Sequence, residues 1–186
     1  MIVSHVSLPM VGEIENGDGV LVRTDEQGRA LIAVVDGLGH GPQAALVSRR
    51  ALECLNGVSL GDPVLSVMQL LHRELAGSRG AAATLCTIRE GAVEACAVGN
   101  VEIRSAELRL PLVFSAGILG SRVAKFHVAR ANLVPRARLV LFSDGISSRT
   151  PLDRVRHLSP EAACAAIIAQ HRRKEDDATI LVADLE

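Results

Sequence analysis

The stretch VVDGLGHGPQAA, from Val34 to Ala45, leads from an apolar segment into an aspartate, three glycines and a histidine, and then into a helical pattern. The β-branched run before Asp36 is typical of a buried strand, and the Gly41-Pro42 pair is typical of a helix start. A carboxylate at the end of a buried strand is unfavourable unless a partner compensates its charge. A metal ion, a phosphate-bearing ligand and a helix cap are the three candidates for that partner.

The composition predicts one globular domain spanning residues 1–186. Of the 186 residues, 48% are hydrophobic and 22% are charged, and the net charge is -1. A chain of this length buries roughly 70% of its unfolded surface and is too short for two domains of ordinary size. It has no Trp, no Tyr and only three Phe, and its basic residues are scattered. Because it lacks both a basic face and stacking aromatics, we expect no nucleic-acid partner.

The N-terminus and the cysteines indicate the compartment. The opening MIVSHVSLPM has no basic region followed by an apolar signal core, and no apolar run approaches the ~20 residues that cross a bilayer. We therefore expect a cytoplasmic protein with no membrane partner. The four cysteines form no CxxC pair and no short Cys/His spacing, which argues against zinc and for reduced, mostly buried thiols.

Apolar runs bounded by turn residues predict strands at 2–8, 19–24, 30–35, 84–88, 93–98, 101–105, 112–115, 126–129, 138–142 and 179–182. DEQG at 25–28 and REG at 89–91 are typical of hairpin turns. One helix is predicted from the apolar spacing over 44–55. A second is expected to be capped by Asp62 with Pro63 as its first residue, and a third to begin after Ser159 and end in the basic residues 171–174. Because most strands follow one another through short turns, the pattern favours an antiparallel α+β fold.

Aspartates share one local pattern in four segments of the chain. Asp18 in NGDGVLV, Asp36 in VVDGLGHG, Asp144 in VLFSDGIS, and Asp176 and Asp177 in KEDDATILV each flank a strand-like run and adjoin glycine or another acid. Singly, an Asp-Gly step is a turn more often than a ligand. Three such steps together with an Asp-Asp pair favour a site for Mg²⁺ or Mn²⁺, because these hard cations prefer oxygen ligands.

Glycines and a histidine extend the pattern. Without a Cβ, Gly37 could bring its carbonyl oxygen to an ion, and Gly19 and Gly145 would leave room for water. His40 has two interpretations. It could protonate a leaving alkoxide, since imidazole titrates near neutrality, or it could cap or pack against the helix start.

Six segments together resemble a known family. GDGVLV, VVDGLGHG, RGAAATLCTI, AVGNVEIR, LVLFSDGIS and EDDATILVADL occur in the order and spacing of the PPM-class metal-dependent serine/threonine phosphatases, in the branch of sporulation and sigma-factor regulators. The likeness covers nearly the whole chain. Within that branch, the chain is most similar to the stand-alone stressosome phosphatases of the RsbX type.

The resemblance implies a fold, a metal centre and an activity. The fold would be a four-layer αββα sandwich with two antiparallel sheets between helices, and the centre would hold two Mn²⁺ or Mg²⁺ ions. Asp36 would bridge both ions, with Gly37 giving a backbone oxygen to one. Asp18 would bind one ion directly or through water, and Asp144 would bind the other together with an acid of the DDAT segment. The ions would activate a water for attack on a phosphoserine or phosphothreonine.

The acid of the DDAT segment is either Asp176 or Asp177, and the family register favours Asp176. The chain departs from many relatives at Asn100, where they have an acid or histidine, so a third metal is not expected. No arginine of MIVSHVSLPM corresponds to the phosphate-binding arginine of eukaryotic relatives, which leaves the metals to hold the phosphate.

The substrate implied by the resemblance is a phosphorylated STAS-domain protein, either a stressosome scaffold or an anti-sigma-factor antagonist. Two other classes stay open at this point. One is a pseudo-phosphatase that binds a phosphoprotein without turnover, against which the intact acidic set argues. The other is a phosphohydrolase for small molecules.

Overall fold

Strands and helices follow the predicted runs closely in the described part of the chain, residues 1–185 of a computed structural model. The strands are β1 (Ile2–Leu8), β2 (Asp18–Thr24), β3 (Ala30–Gly37), β4 (Ala81–Arg89), β5 (Ala92–Val98), β6 (Glu102–Arg104), β7 (Gly117–Ile118), β8 (Arg122–Val123), β9 (Val128–Asn132), β10 (Arg138–Phe142) and β11 (Ala178–Asp184). The helices are α1 (Gly41–Asn56), α2 (Val64–Glu74) and α3 (Pro160–His171), with a short 3₁₀ helix at Leu152–Val155.

The strands form two main antiparallel sheets. One sheet has the order β1-β11-β10-β6, and the other has the order β2-β3-β4-β5-β9. Helices α1 and α2 pack on the second sheet, and α3 packs on β1 and β11 of the first. The chain therefore forms the four-layer αββα sandwich that the resemblance implied, and the α+β prediction is confirmed.

The side-chain alternation of β3 explains why its sequence is apolar without interruption. Leu31, Ala33 and Val35 pack in the cluster that contains the buried side chains of α1 and α2. Ile32 and Val34 pack in the cluster between the two sheets. Successive strand residues point to opposite faces, and both faces of β3 are covered, so neither face takes polar residues. This burial carries the strand straight to Asp36.

One predicted strand is wrong. The segment 112–115 forms no strand, and Val113 and Phe114 are exposed. The free side of β5 is taken by β9, which pairs with Ala92 through Cys96, so only the end of β5 is left for this segment. Ser115 occupies that place through a single bridge to Val98.

Two predicted helix ends are also wrong. Asp62 does not cap α2, because its carboxylate accepts a hydrogen bond from the backbone N–H of Ser59 at 3.1 Å in the preceding turn, and α2 begins after Pro63. α3 does begin after Ser159, whose hydroxyl accepts from the N–H of Ala162, but it ends at His171. The basic residues that follow leave the helix.

The thiols are free, as expected, and Cys86, Cys96 and Cys164 are buried. Burial raises the pKa of Cys86 to about 12 and those of Cys96 and Cys164 to about 11, so these thiols are unreactive at neutral pH. No helix within residues 1–185 is long and apolar enough to cross a membrane.

Candidate active site

The antiparallel topology brings the predicted acids to one end of the sandwich. Asp18 opens β2 and pairs directly with Asp36 near the end of β3. Asp144 follows β10, and Asp176 precedes β11, whose pairing with β10 puts these two chain segments side by side. The two sheets meet where the hydroxyl of Ser143 donates a hydrogen bond to Oδ2 of Asp18 at 2.6 Å.

Asp18 is held in place on one side only. Its side chain is 7% exposed, and Oδ2 accepts the bond from Ser143. Its other oxygen, Oδ1, is buried and has no hydrogen-bond partner among the described residues. An unpartnered buried carboxylate oxygen is rare and costly, so this atom calls for a donor or a cation.

Electrostatics at this end of the molecule are strongly unfavourable for the ionised acids. Burial, and then the charges of Asp18 and Asp144, raise the pKa of Asp36 to about 9. Burial raises the pKa of Asp18 to about 7, although the hydrogen bond from Ser143 lowers it. Among residues 1–185, no Lys, Arg or His forms an ion pair with either side chain. The described residues therefore supply no ion-pair partner for these two acids.

Asp144 and Asp176 complete the acidic group on the side of the first sheet. The amide of Asn100, in the turn between β5 and β6, donates to Oδ2 of Asp144 at 2.6 Å. Burial and then the charge of Asp144 raise the pKa of Asp176. Both side chains are partly exposed. Asn100, where a departure from the family was expected, thus contacts an acid of the site.

Asp177 is placed differently from its neighbour. Its Oδ1 accepts from the N–H of Met10 at 2.8 Å, and its Oδ2 accepts from the N–H of Gly17 at 2.9 Å. The side chain is buried. It ties the loop between β1 and β2 to the start of β11, directly beside Asp18 and Asp176. Both of its oxygens are engaged by backbone donors, whereas Asp18 retains an unpartnered oxygen.

Close backbone packing requires Gly37 and Gly145 to be glycine. A Cβ on Gly37 would lie 2.5 Å from the carbonyl oxygen of Ala44. A Cβ on Gly145 would overlap the carbonyl oxygen of Asp177, and one on Gly19 would lie 3.1 Å from Leu52. The expectation that Gly19 and Gly145 leave room for water stays a prediction.

His40 lies between β3 and α1 with its side chain half exposed. It is the N-cap residue of α1, but its side chain makes no capping hydrogen bond, so the capping alternative is wrong. Its Nδ1 lies 2.9 Å from Oε1 of Glu13. An ionised carboxylate only accepts hydrogen bonds, so Nδ1 carries the proton in this pair. Glu13 lies in an irregular loop, where no periodic pattern could have predicted this contact.

The acids are not arranged as a finished ligand set. Within residues 1–185, no group of three or more Asp, Glu, His or Cys side chains is already positioned to hold a metal ion. Ser143 donates to one oxygen of Asp18, and Asn100 donates to one oxygen of Asp144. The donor set nevertheless fits a hard cation, because it consists of oxygen atoms alone and includes the unpartnered Oδ1 of Asp18.

Comparison with known proteins identifies the family of this fold. The family described as Stage II sporulation protein E (SpoIIE) matches residues 26–186. The chain belongs to the SpoIIE family. This membership confirms the predicted branch of the PPM class, and the chain is a protein-serine/threonine phosphatase by enzyme class. None of the curated proteins compared with the chain matches it significantly.

Solved structures similar to this SpoIIE-family chain include three bacterial proteins. A structure from a study of the bacterial stressosome, as a modular system adapted to control secondary messenger signaling, is 31% identical with a TM-score of 0.89, and 97% of each chain is covered. RsbX in complex with magnesium is 21% identical with a TM-score of 0.85, covering 99% of this chain and 94% of that one. The serine/threonine phosphatase PstP of Mycobacterium tuberculosis is 16% identical with a TM-score of 0.81, covering 100% and 98%.

Proposed function

We propose that this SpoIIE-family chain is a phosphatase dependent on two divalent cations that dephosphorylates a STAS-domain stressosome scaffold protein in the cytoplasm. The observation that carries the catalytic part is the facing pair of Asp18 and Asp36. The buried carboxylate of Asp18 lies opposite the partly buried carboxylate of Asp36 on the neighbouring strand, Asp18 has an unpartnered oxygen, and no basic side chain of the described residues forms an ion pair with either. Cation binding explains such a pair, and no ion pair among residues 1–185 does so.

The proposed ligands divide between the two sheets. Asp36 would contact both Mg²⁺ or Mn²⁺ ions, and Asp18 and the carbonyl of Gly37 would contribute from the same sheet. Asp144 and Asp176 would contribute from the loops of the other sheet. Asp177 is left out of the ligand set, because Met10 and Gly17 already engage its two oxygens.

When bound, the two ions would supply a polarised water as nucleophile and would screen the charge of the phosphoryl oxygens. The protein residues around them hold the acids in place. Ser143 fixes Oδ2 of Asp18, and Asn100 fixes Oδ2 of Asp144, so that one oxygen of each carboxylate is oriented before any ion arrives. Such outer contacts are typically worth 10- to 100-fold in metal affinity or activity.

His40 is proposed as the acid for the leaving group. Glu13 holds the Nδ1–H, which leaves Nε2 free to carry and release the second proton. As the bond from phosphorus to the seryl or threonyl oxygen breaks, that oxygen would take the proton from Nε2. The free alcohol then leaves and inorganic phosphate remains.

The substrate part of the proposal is supported by the relatives. The solved structure at 31% identity comes from work on the bacterial stressosome. RsbX, which has a similar fold, was solved in complex with magnesium. The anti-sigma-factor antagonists carry the same STAS domain, and they form the comparison class in the test.

The test measures phosphate release from purified phosphorylated STAS-domain proteins of the stressosome and anti-sigma-factor-antagonist types. We expect turnover with Mn²⁺ or Mg²⁺, none in chelator, and the highest kcat/KM on a stressosome scaffold. A panel of sugar phosphates serves as control. Faster hydrolysis of a sugar phosphate than of every phosphoprotein would overturn the proposal, and metal-dependent binding without turnover would identify a pseudo-phosphatase.

A further inference from the structure

A groove beside the acidic centre carries an excess of positive charge. Its volume is about 630 Å³, and it runs between α1 and the loop before β4. We name it the arginine groove. Its charged lining residues are Arg49, Arg50, Arg79 and Glu53. Three arginines against one glutamate give it a local surplus in a chain whose net charge is -1.

Two of these arginines have no partner in the protein. Among residues 1–185, neither Arg50 nor Arg79 forms an ion pair or a side-chain hydrogen bond, and both are exposed. Arg49 differs, because its guanidinium donates to Glu15 at 2.8 Å. The charge available to a ligand therefore comes mainly from Arg50 and Arg79.

The groove begins at the acidic centre. The N–H of Leu38 donates to the carbonyl of Gly80 at 3.0 Å, so the loop after Gly37 runs beside the residues that precede β4. A Cβ on Gly39 would lie 3.4 Å from Nη1 of Arg79. The guanidinium thus lies against the residue before His40, two residues after Gly37.

The other end of the groove follows α1 away from the centre. Gln43, Leu46 and Arg50 line the groove at helical spacing and so share one face of α1. Arg50 lies nine residues after Gly41, which is about 14 Å along the axis at 1.5 Å per residue. An extended peptide covers that length in about four residues.

A phosphoprotein approaching this site meets a group of carboxylates. With two divalent cations bound, the charge of these carboxylates is offset, and a basic surface beside the site then attracts acids of the substrate, since complementary charge mainly sets encounter and orientation. We propose that the arginine groove binds an acidic segment of the phosphoprotein substrate, with Asp or Glu residues about three to five positions from the phosphorylated residue. This inference rests on the proposed phosphatase function and specifies its substrate class.

The test uses the full chain in chelator, where no turnover occurs, and two labelled phosphoserine peptides. One peptide has three Glu at positions three to five from the phosphoserine, and the other has Gln there; a second such pair places the same residues on the opposite side. By fluorescence anisotropy we expect the better Glu peptide to bind about tenfold more tightly than its Gln partner, with the advantage falling as salt rises. Arg50→Glu combined with Arg79→Glu should abolish that advantage.

Arg109→Glu is the matched control, because Arg109 is also exposed and unpaired among the described residues but does not line the groove. It should retain the tenfold advantage. With metal added, the double variant should raise KM for the Glu phosphopeptide about tenfold and leave hydrolysis of p-nitrophenyl phosphate unchanged. Equal affinity for the Glu and Gln peptides, or an advantage that survives in the double variant, would overturn the inference, as would an equal loss on p-nitrophenyl phosphate. Groove-dependent binding without any turnover would instead overturn the proposed function alone.

Discussion

The two ends of the β10–β11 pair differ in whether their acidic side chains have a basic partner. At one end, Arg138 faces Asp184 across the ladder and donates to both of its oxygens, at 2.5 and 2.8 Å. The same guanidinium also donates to the carbonyls of Val155 and Leu158. At the other end lie Asp144 and Asp176, next to the facing pair of Asp18 and Asp36, with no basic partner among residues 1–185.

This difference assigns a stabilising role to the Arg138 end and a cation-binding role to the acidic end. The Arg138 end is complete within the protein, and the hydrogen bond with Asp184 raises the pKa of the guanidinium, so its charge is favoured by folding. At the acidic end, burial raises the pKa values of Asp18 and Asp36, so their charge is disfavoured by folding. The first end stabilises the fold without a ligand, and the second requires a cation from solution to become favourable.

The largest effect is expected from Asp36→Asn. If this acid contacts both ions, kcat/KM on a phosphoprotein should fall by more than about a hundredfold. Substituting a residue that only hydrogen-bonds to a metal ligand already lowers metal affinity or activity by up to about a hundredfold. Asp18→Asn should cost less. Asp184→Asn, at the opposite end of the same strands, should leave kcat/KM of the folded protein unchanged. An equal loss for Asp36→Asn and Asp184→Asn would remove the distinction between the two ends.

The next effect belongs to the paired end. Arg138→Ala leaves the carboxylate of Asp184 and two carbonyls without their donor, in a region where the arginine side chain is only 12% exposed. We expect a loss of about 3 kcal/mol in the free energy of unfolding, measured by urea denaturation. Specific activity below the transition should match that of the parent. A stable Arg138→Ala protein with impaired catalysis would contradict this assignment.

Cation binding should stabilise the acidic end by a comparable amount. At free Mn²⁺ about 100 times the dissociation constant, one site contributes roughly 2.7 kcal/mol, which raises Tm by roughly 5 to 11 °C. Asp36→Asn is the control. Because it relieves repulsion and removes a ligand, its metal-free form should melt no lower than the metal-free parent and should gain much less from Mn²⁺. A parent protein whose Tm does not change when Mn²⁺ is added would contradict the cation site.

The same melts should depend on pH in a definite direction. The native pKa of Asp36 is about 9 and its ordinary value is 3.8, so between these values the native state holds the proton more tightly than the unfolded chain. The stabilisation is full below pH 3.8 and is lost as pH rises through 9. From pH 6 to 9 in chelator, Tm should fall. Saturating Mn²⁺ should flatten this slope.

The smallest effect concerns His40, which touches neither end of the β10–β11 pair. His40→Ala should slow phosphoserine hydrolysis about tenfold or more relative to p-nitrophenyl phosphate, whose leaving group needs no proton. Glu13→Gln, introduced alone with His40 unchanged, should shift the pH profile of phosphoserine hydrolysis, because a neutral amide then replaces the carboxylate beside Nδ1 of His40. Equal losses on both substrates would assign His40 a structural role.

Much of this architecture could be predicted from sequence, because burial patterns are local. β3 is apolar on both faces because helices cover one face and the first sheet covers the other, and the resulting run is readable up to Asp36. The segment 112–115 has a similar apolar character and was predicted wrongly. The edge of β5 that this segment could have paired with is taken by β9, which lies later in the chain. A local sequence pattern does not show which of the two segments pairs with β5.

The sequence by itself determined which acids flank strands, and hence that Asp18, Asp36 and Asp144 could meet at one end of a sandwich. Only the tertiary structure separated Asp176 from Asp177. Neighbouring residues of an extended chain point in different directions, and the N–H groups of Met10 and Gly17, more than 150 positions away, engage the second acid. The position of the Arg79 guanidinium near Gly39 was decided in the same way, because the neighbours of a side chain that are distant in sequence are set by packing and not by spacing.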